Sequence, residues 1–337
     1  MSPYFAAFMT EFRYLCGAIL PNAKIFGGVK RFLELGNEFA ERGVGFIIFT
    51  PTGASPDWFD FQGEVKSFDQ LGDFNFEVIF ITESQFIPQL FRCKSKRKIF
   101  YYVTAKLVLH RVLRFREIEI FANSTTTYNQ ARRFYFTTPF KAFGGINTEK
   151  FVPKLAYDRN KSDPLVVMAY GRLNRRKKGT HLVVRACERL YRRRLNIKLL
   201  LFDTPLDEKS RLLIENFTCK LPFEFVTNHP VSKNNALFHR ADIFVSAEKG
   251  GGWSNTVAEA MAAGIPVVAT KNGTTDFLFD NITGLVAKRS VRSLEKSIAK
   301  LYHDDDMRQR LAVGARHRIE KFTWKNLAQR IDNYLSG

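Results

Sequence analysis

The sequence predicts an α/β protein built from two doubly wound, Rossmann-like parallel-sheet units, and three observations carry that expectation. At 337 residues the chain has the length of two domains. Short apolar runs with the composition of buried strands alternate with segments of helical periodicity. The alternation stops in a segment rich in Gly, Asn, Pro and charge at residues 144–164, then begins again.

The elements follow in order. Apolar positions Val29, Phe32, Leu33, Leu35, Phe39 and Ala40 recur at helical spacing, and GVGFIIFT at 43–50 reads as the strand after that helix. FEVIFIT (76–82), KIFYYV (98–103) and IEIFA (118–122) are further strands; Asn123-Ser124-Thr125 then signals a helix start. Beyond the linker come strands at 165–170, 197–202, 223–226, 243–246 and 266–270, with helices at 181–194 and 255–263. Strands apolar along their whole length imply sheets covered on both faces. In such folds ligands bind at the carboxyl ends of strands, here expected in a cleft between the units.

Composition narrows the function. Hydrophobic residues make up 45% and charged residues 25%, which excludes a disordered or fibrous chain. The 33 phenylalanines read as a core packed with rings. Four cysteines, Cys16, Cys93, Cys187 and Cys219, lie far apart without metal-ligand spacing, which predicts reduced thiols and a cytoplasmic setting. No signal peptide or membrane-spanning run is expected. Asp304-Asp305-Asp306 satisfies a DxD metal pattern, yet its place before a helical segment reads as capping. No metal or cofactor is expected.

A net charge of +19 predicts an anionic partner: nucleic acid, a phosphorylated metabolite or an acidic membrane. Residues 1–150 hold 19 basic against 14 acidic residues, and residues 151–337 hold 33 against 19. Residues 91–116 hold nine basic residues and no acid, interleaved with aromatics. That composition suits a peripheral contact with an anionic membrane. No recognition helix, zinc finger or RNA-binding strand supports nucleic acid.

The chemistry concentrates in SAEKGGGWSNTVAEAMAAGIPVVAT, residues 246–270. A strand runs into a glycine-rich loop that opens a helix near Asn255, a geometry in which glycine lets a ligand approach and free amides attract phosphate. Many α/β turns share that pattern. With its surroundings, however, this string resembles the donor-binding core of the family-4 glycosyltransferases, retaining enzymes of GT-B fold. GGVKRFLELGNEFAERG (27–43), GGINTEKFVP (144–153), YGRLNRRKKGTHLVVRA (170–186) and the terminal FTWKNLAQRIDNYL resemble further motifs of that family, in the family's order.

The resemblance implies an N-terminal acceptor domain at 1–155, to which a helix at 322–337 returns, and a donor domain at 156–321. It implies that Arg172 and Lys178 bind the donor diphosphate, with Lys177 competing for the lysine role. Glu259 would hold the ribose hydroxyls; Gly252 and the amides of Ser254, Asn255 and Thr256 would meet the phosphates. Gly27 and Gly28 would close on the same group. The family's usual glutamate eight residues before Glu259 falls on Gly251, and Glu248 is the substitute at hand. A histidine common in the family falls near Thr104; His110 is the next one along. The expected activity is transfer of a hexose from a UDP- or GDP-sugar to an unidentified acceptor, lipid-linked, glycan or protein. The leaving phosphate would take the proton. An epimerase or phosphorylase of the same fold is the other enzyme reading.

Overall fold

A computed structural model describes residues 12–104, 106–154, 160 and 162–336. It divides into two compact units, Met1–Gly145 with Phe322–Gly337, and Ile146–Lys321. The expected boundary at 155/156 falls on residues outside the described ones; the division lies ten residues earlier, inside the GGINTEKFVP segment.

The first unit contains β1 (Leu15–Ile19), α1 (Gly27–Ala40), β2 (Gly45–Thr50), β3 (Glu64–Ser67), β4 (Asn75–Ile81), α2 (Ile87–Arg92), β5 (Lys94–Tyr102), β6 (Ile118–Ala122), α3 (Thr125–Tyr135) and β7 (Phe140–Lys141). All strands are parallel, in the order β3-β2-β1-β4-β5-β6-β7. Alternating side chains cover both faces. Phe32, Phe39, Phe46, Phe80 and Phe121 pack on one side, and Phe49, Phe74, Phe76, Phe86 and Phe100 on the other. Much of the phenylalanine excess is therefore core, although Phe26, Phe91, Phe134 and Phe136 are exposed. Ser124 caps α3 reciprocally with Thr127, as the helix-start signal predicts.

The central strand β1 was not among the expected strands. Its sequence, LCGAI, lacks β-branched bulk until the last residue, and Gly17 is small because the Phe76 ring occupies its side-chain space: an added Cβ would lie 2.9 Å from Phe76 Cε1.

The second unit runs β8 (Leu165–Tyr170), α4 (Thr180–Arg192), β9 (Ile197–Asp203), α5 (Glu208–Glu215), β10 (Phe223–Thr227), α6 (Asn234–His239), β11 (Ile243–Ser246), α7 (Asn255–Ala262), β12 (Val267–Ala269), β13 (Leu285–Val286), α8 (Val291–His303) and α9 (Asp305–Ile319). Its parallel sheet is ordered β10-β9-β8-β11-β12-β13. Val167, Leu199, Leu201 and Val245 enter one buried cluster, while Met168, Leu200 and Phe244 are buried on the opposite side. Asp304 accepts from the Met307 amide at 2.8 Å and so caps α9, the role read for the DxD string. Arg316 of α9 donates to Phe151 O, Ala262 O and Thr148 O (2.6, 2.7 and 3.2 Å), which fixes the segment after Ile146 against the end of α7.

At Phe322 the chain re-enters the first unit, where α10 (Trp324–Ser336) packs on α1 through Trp324, Leu327, Ile331 and Leu335. Gly145 must be glycine, since at φ +128° an added Cβ would sit 2.1 Å from the Trp324 ring. The buried Arg31 guanidinium lies between the Tyr101 and Trp324 rings and donates to Tyr101 Oη at 2.9 Å. Among the described residues no helix is long and apolar enough to cross a membrane.

Candidate functional site

In the second unit the carboxyl ends of β8, β9 and β11 bring three loops together. Gly171 leaves β8 where an added Cβ would be 2.5 Å from Phe225, so only glycine lets the chain turn there. Arg172 follows, buried, and its Nη2 donates to Tyr170 Oη (2.6 Å) and Thr204 O (3.4 Å) and pairs with Asp203 Oδ1 at 2.9 Å. The Asp203 carboxyl is held above its ordinary range by burial, against the opposing pull of Arg172. Burial, reinforced by that carboxylate, raises Tyr170 as well. One guanidinium edge of Arg172 is thus committed to the protein, while its buried Nε has no partner.

The structure separates the two competing lysines. Lys177 is exposed, and its backbone carbonyl accepts from the Lys249 amide at 2.8 Å. Lys178 points inward, with Nζ 2.6 Å from Glu248 Oε1 and 5.7 Å from the Tyr170 ring centroid. The Arg172 guanidinium lies 5.4 Å from that same centroid. Tyr170 is therefore the surface on which both expected diphosphate-binding cations converge.

Two contacts hold the 172–179 loop against the 247–252 loop. Gly179, at φ +76°, approaches Ala247 so closely that an added Cβ would lie 2.3 Å from its carbonyl oxygen. Arg289 spans both loops, donating from Nε to Ala247 O (2.9 Å) and from Nη2 to Arg176 O (2.7 Å). Around Gly251, an added Cβ would be 3.4 Å from Glu248 Oε1. The Glu248 carboxylate therefore stands beside the place where a residue-251 side chain would emerge. Gly250, at φ +81°, has open space where a Cβ would go, and Gly252 is buried.

Helix α7 begins after Ser254, whose side chain makes no capping bond and whose buried Oγ has no partner. Its amide is already donated to Gly273 O at 2.8 Å, so of the three expected phosphate-facing amides Ser254's is taken. Asn255 and Thr256 remain, in a first turn whose amides have no intrahelical acceptor. Glu259 lies in the next turn and is buried. Lys178, Arg172 and the first-turn amides are all donors at the carboxyl end of this sheet, a set whose charge suits an anion.

Gly27 and Gly28 lie in the first unit, at the start of α1, and Gly28 has open space where a Cβ would go. It lines a cavity of about 600 Å³ at the carboxyl ends of β1, β4 and β5. Thr104 lines that cavity; His110 is exposed and is not among its walls.

The basic stretch 91–116 is not one surface. Its first part lies at the amino end of β5, Lys106–Arg111 follow the carboxyl end, and the chain then returns to the amino end of β6. Several of its cations are engaged: Arg97 pairs with Glu119 at 2.8 Å and Lys96 with Glu77 at 2.7 Å. Arg289 is not among the expected site residues; its partners Ala247 and Arg176 are distant in sequence, so no local pattern marks it.

Residues 155–318 match the family described as "Glycosyl transferases group 1". The chain is 26% identical over 219 residues to the capsular polysaccharide biosynthesis glycosyltransferase CapM of Staphylococcus aureus, a match covering 58% of this chain and 54% of CapM. It spans about half the length of the curated relatives it matches. Among solved structures it resembles sucrose-phosphate synthase from Thermosynechococcus elongatus, with TM-score 0.79, 18% identity, and coverage of 96% of this chain and 98% of that one. It also resembles Anabaena HepE in complex with UDP-glucose, with TM-score 0.73, 13% identity, and coverage of 96% and 100%. These likenesses make the fold GT-B, and residues 155–318 are similar in sequence to the group 1 glycosyl transferases.

Proposed function

We propose that the chain is a retaining glycosyltransferase that moves a hexose from a UDP- or GDP-sugar to an acceptor hydroxyl. The observation that carries the reading is the convergence of Lys178 and Arg172 on Tyr170 within the segment that matches the glycosyl transferase family. HepE, a structural neighbour, is known in complex with UDP-glucose, which supports the uridine donor.

In this reading Lys178 and the free edge of Arg172 neutralise the diphosphate, the Asn255 and Thr256 amides complete its cradle, and Glu259 accepts from the ribose hydroxyls. Glu248, held by Lys178, takes the place of the glutamate that position 251 lacks and faces the hexose. The bond from the anomeric carbon to the phosphate oxygen breaks, and the acceptor oxygen bonds to that carbon on the same face. The acceptor proton passes to the departing phosphate. Catalysis is then positioning plus stabilisation of developing phosphate charge, for which the site needs no metal.

Peripheral attachment to an anionic membrane is part of the proposal, restricted by the topology to one end of the sheet at a time. The half that borders the cavity contains Lys106, Arg111 and the exposed Leu107. The protein would stay on the cytoplasmic side.

A thermal-shift panel of UDP, GDP, ADP and TDP with their sugars tests the donor. Stabilisation by UDP or GDP compounds is expected. No response to any of them, together with salt-sensitive DNA binding, would overturn the proposal.

A further inference from the structure

The first-unit cavity has a composition of its own. Leu20, Phe26, Val103 and Val108 give it an apolar wall, and Lys106 and Arg111 stand at one side. Neither cation has an ion-pair partner among the described residues, although most basic side chains of the neighbouring β5 segment are engaged. The one acid in the lining, Glu83, accepts from Gln85 Nε2 at 2.8 Å. Leu107, 52% exposed, lies between the cations in sequence and extends the apolar character outward. Tyr102 fixes this segment by donating from Oη to Lys106 O at 2.6 Å, so the backbone that carries the lysine is anchored to the sheet.

Two unpaired cations beside an apolar wall select a ligand that is anionic at one end and carbon-rich at the other. We propose that the cavity receives the acceptor through a phosphate ester, with Lys106 and Arg111 holding the phosphate and the Leu20–Phe26 wall holding the attached carbon skeleton. The proposal rests on the reading of the second unit as the donor domain, because only then is the first-unit cavity an acceptor site.

The test titrates the full-length protein, saturated with UDP, with farnesyl phosphate, glycerol 3-phosphate and farnesol. Farnesyl phosphate is expected to bind at least about tenfold more tightly than farnesol. Lys106→Gln and Arg111→Gln should each weaken phosphate-ester binding about five- to tenfold while leaving UDP affinity unchanged. Comparable binding of glycerol 3-phosphate assigns the site to soluble phosphate esters; binding of farnesyl phosphate alone assigns it to lipid phosphates. Farnesol binding as tightly as farnesyl phosphate, no phosphate ester binding, or affinities indifferent to both substitutions would overturn the proposal. If the wild-type chain fails to bind UDP, the donor reading fails instead. The same titrations without UDP then still report whether Lys106 and Arg111 hold a phosphate.

Discussion

Replacing Gly179 by alanine tests how the site is assembled, and Gly250 supplies its internal control. Both glycines occupy the left-handed region, at φ +76° and +81°. A side chain there costs about 1–2 kcal/mol from backbone sterics alone. Gly250 has nothing within 4 Å of an added Cβ, so Gly250→Ala should cost about that and no more. At Gly179 the added carbon would lie 2.3 Å from Ala247 O and 2.7 Å from Ala247 Cβ. Ordinary contact needs about 1 Å more, and overpacking of this kind costs a further ~1–3 kcal/mol.

Relief requires the two loops to part, which strains the Lys249 N to Lys177 O bond, the Arg289 bridge and the Lys178–Glu248 pair together. For a unit of this size ~1 kcal/mol moves Tm by about 2–4 °C. Thermal melts of the two variants should therefore differ by several degrees, with Gly179→Ala the lower. UDP affinity should fall in Gly179→Ala and hold in Gly250→Ala. Equal melting temperatures would refute the close approach of the loops, and with it the explanation of how Lys178 is aimed.

Other consequences are open to simple assays. Lys178→Ala should weaken UDP binding at least about tenfold, the scale of one charge-assisted contact, while Lys177→Ala should leave it nearly unchanged; calorimetry distinguishes them. Burial pushes the Cys93 thiol up to about 12 and also raises Cys16, Cys187 and Cys219. A thiol reagent at pH 8 should thus modify at most the half-buried Cys219 quickly, and all four cysteines only after denaturation. Two fast-reacting thiols in the native protein would contradict the packing of these cores. Because the folded state raises the Asp203 carboxyl above its ordinary 3.8, ionising it costs the folded protein more than the unfolded one. Its contribution to stability is therefore lost as pH rises above that value. Wild-type Tm should fall relative to Asp203→Asn over that interval, and parallel pH profiles would count against the burial of the carboxylate.

What the sequence reveals and what it hides have physical causes. Strands β8, β9 and β11 are legible because sheets covered on both faces demand uninterrupted apolar runs, and LVVMAY and IKLLLFD supply them. β1 is hidden because a central strand flanked by bulky neighbours can be built from small residues, and Gly17 yields its space to Phe76. In the site, the glycine-rich loop and the first turn of α7 are local features, visible in 246–270. The choice between Lys177 and Lys178 is not local: it depends on which side of a single turn faces Glu248, 70 residues away. Ser254's amide is taken by Gly273, and the loops are joined by Arg289, which follows β13. Such long-range contacts leave no periodicity in the chain. The resemblance to the glycosyltransferases suggests where to look for the site; the geometry shows which atoms there are already occupied.

The account stands most directly on Glu259, buried in α7 and proposed to hold the ribose hydroxyls of the donor. Calorimetric titration of UDP into the wild type and Glu259→Gln decides the matter. The expected result is a measurable wild-type affinity that falls about ten- to a hundredfold in the variant, with its melting temperature little changed. Unaltered UDP binding by Glu259→Gln would contradict the proposed nucleotide site.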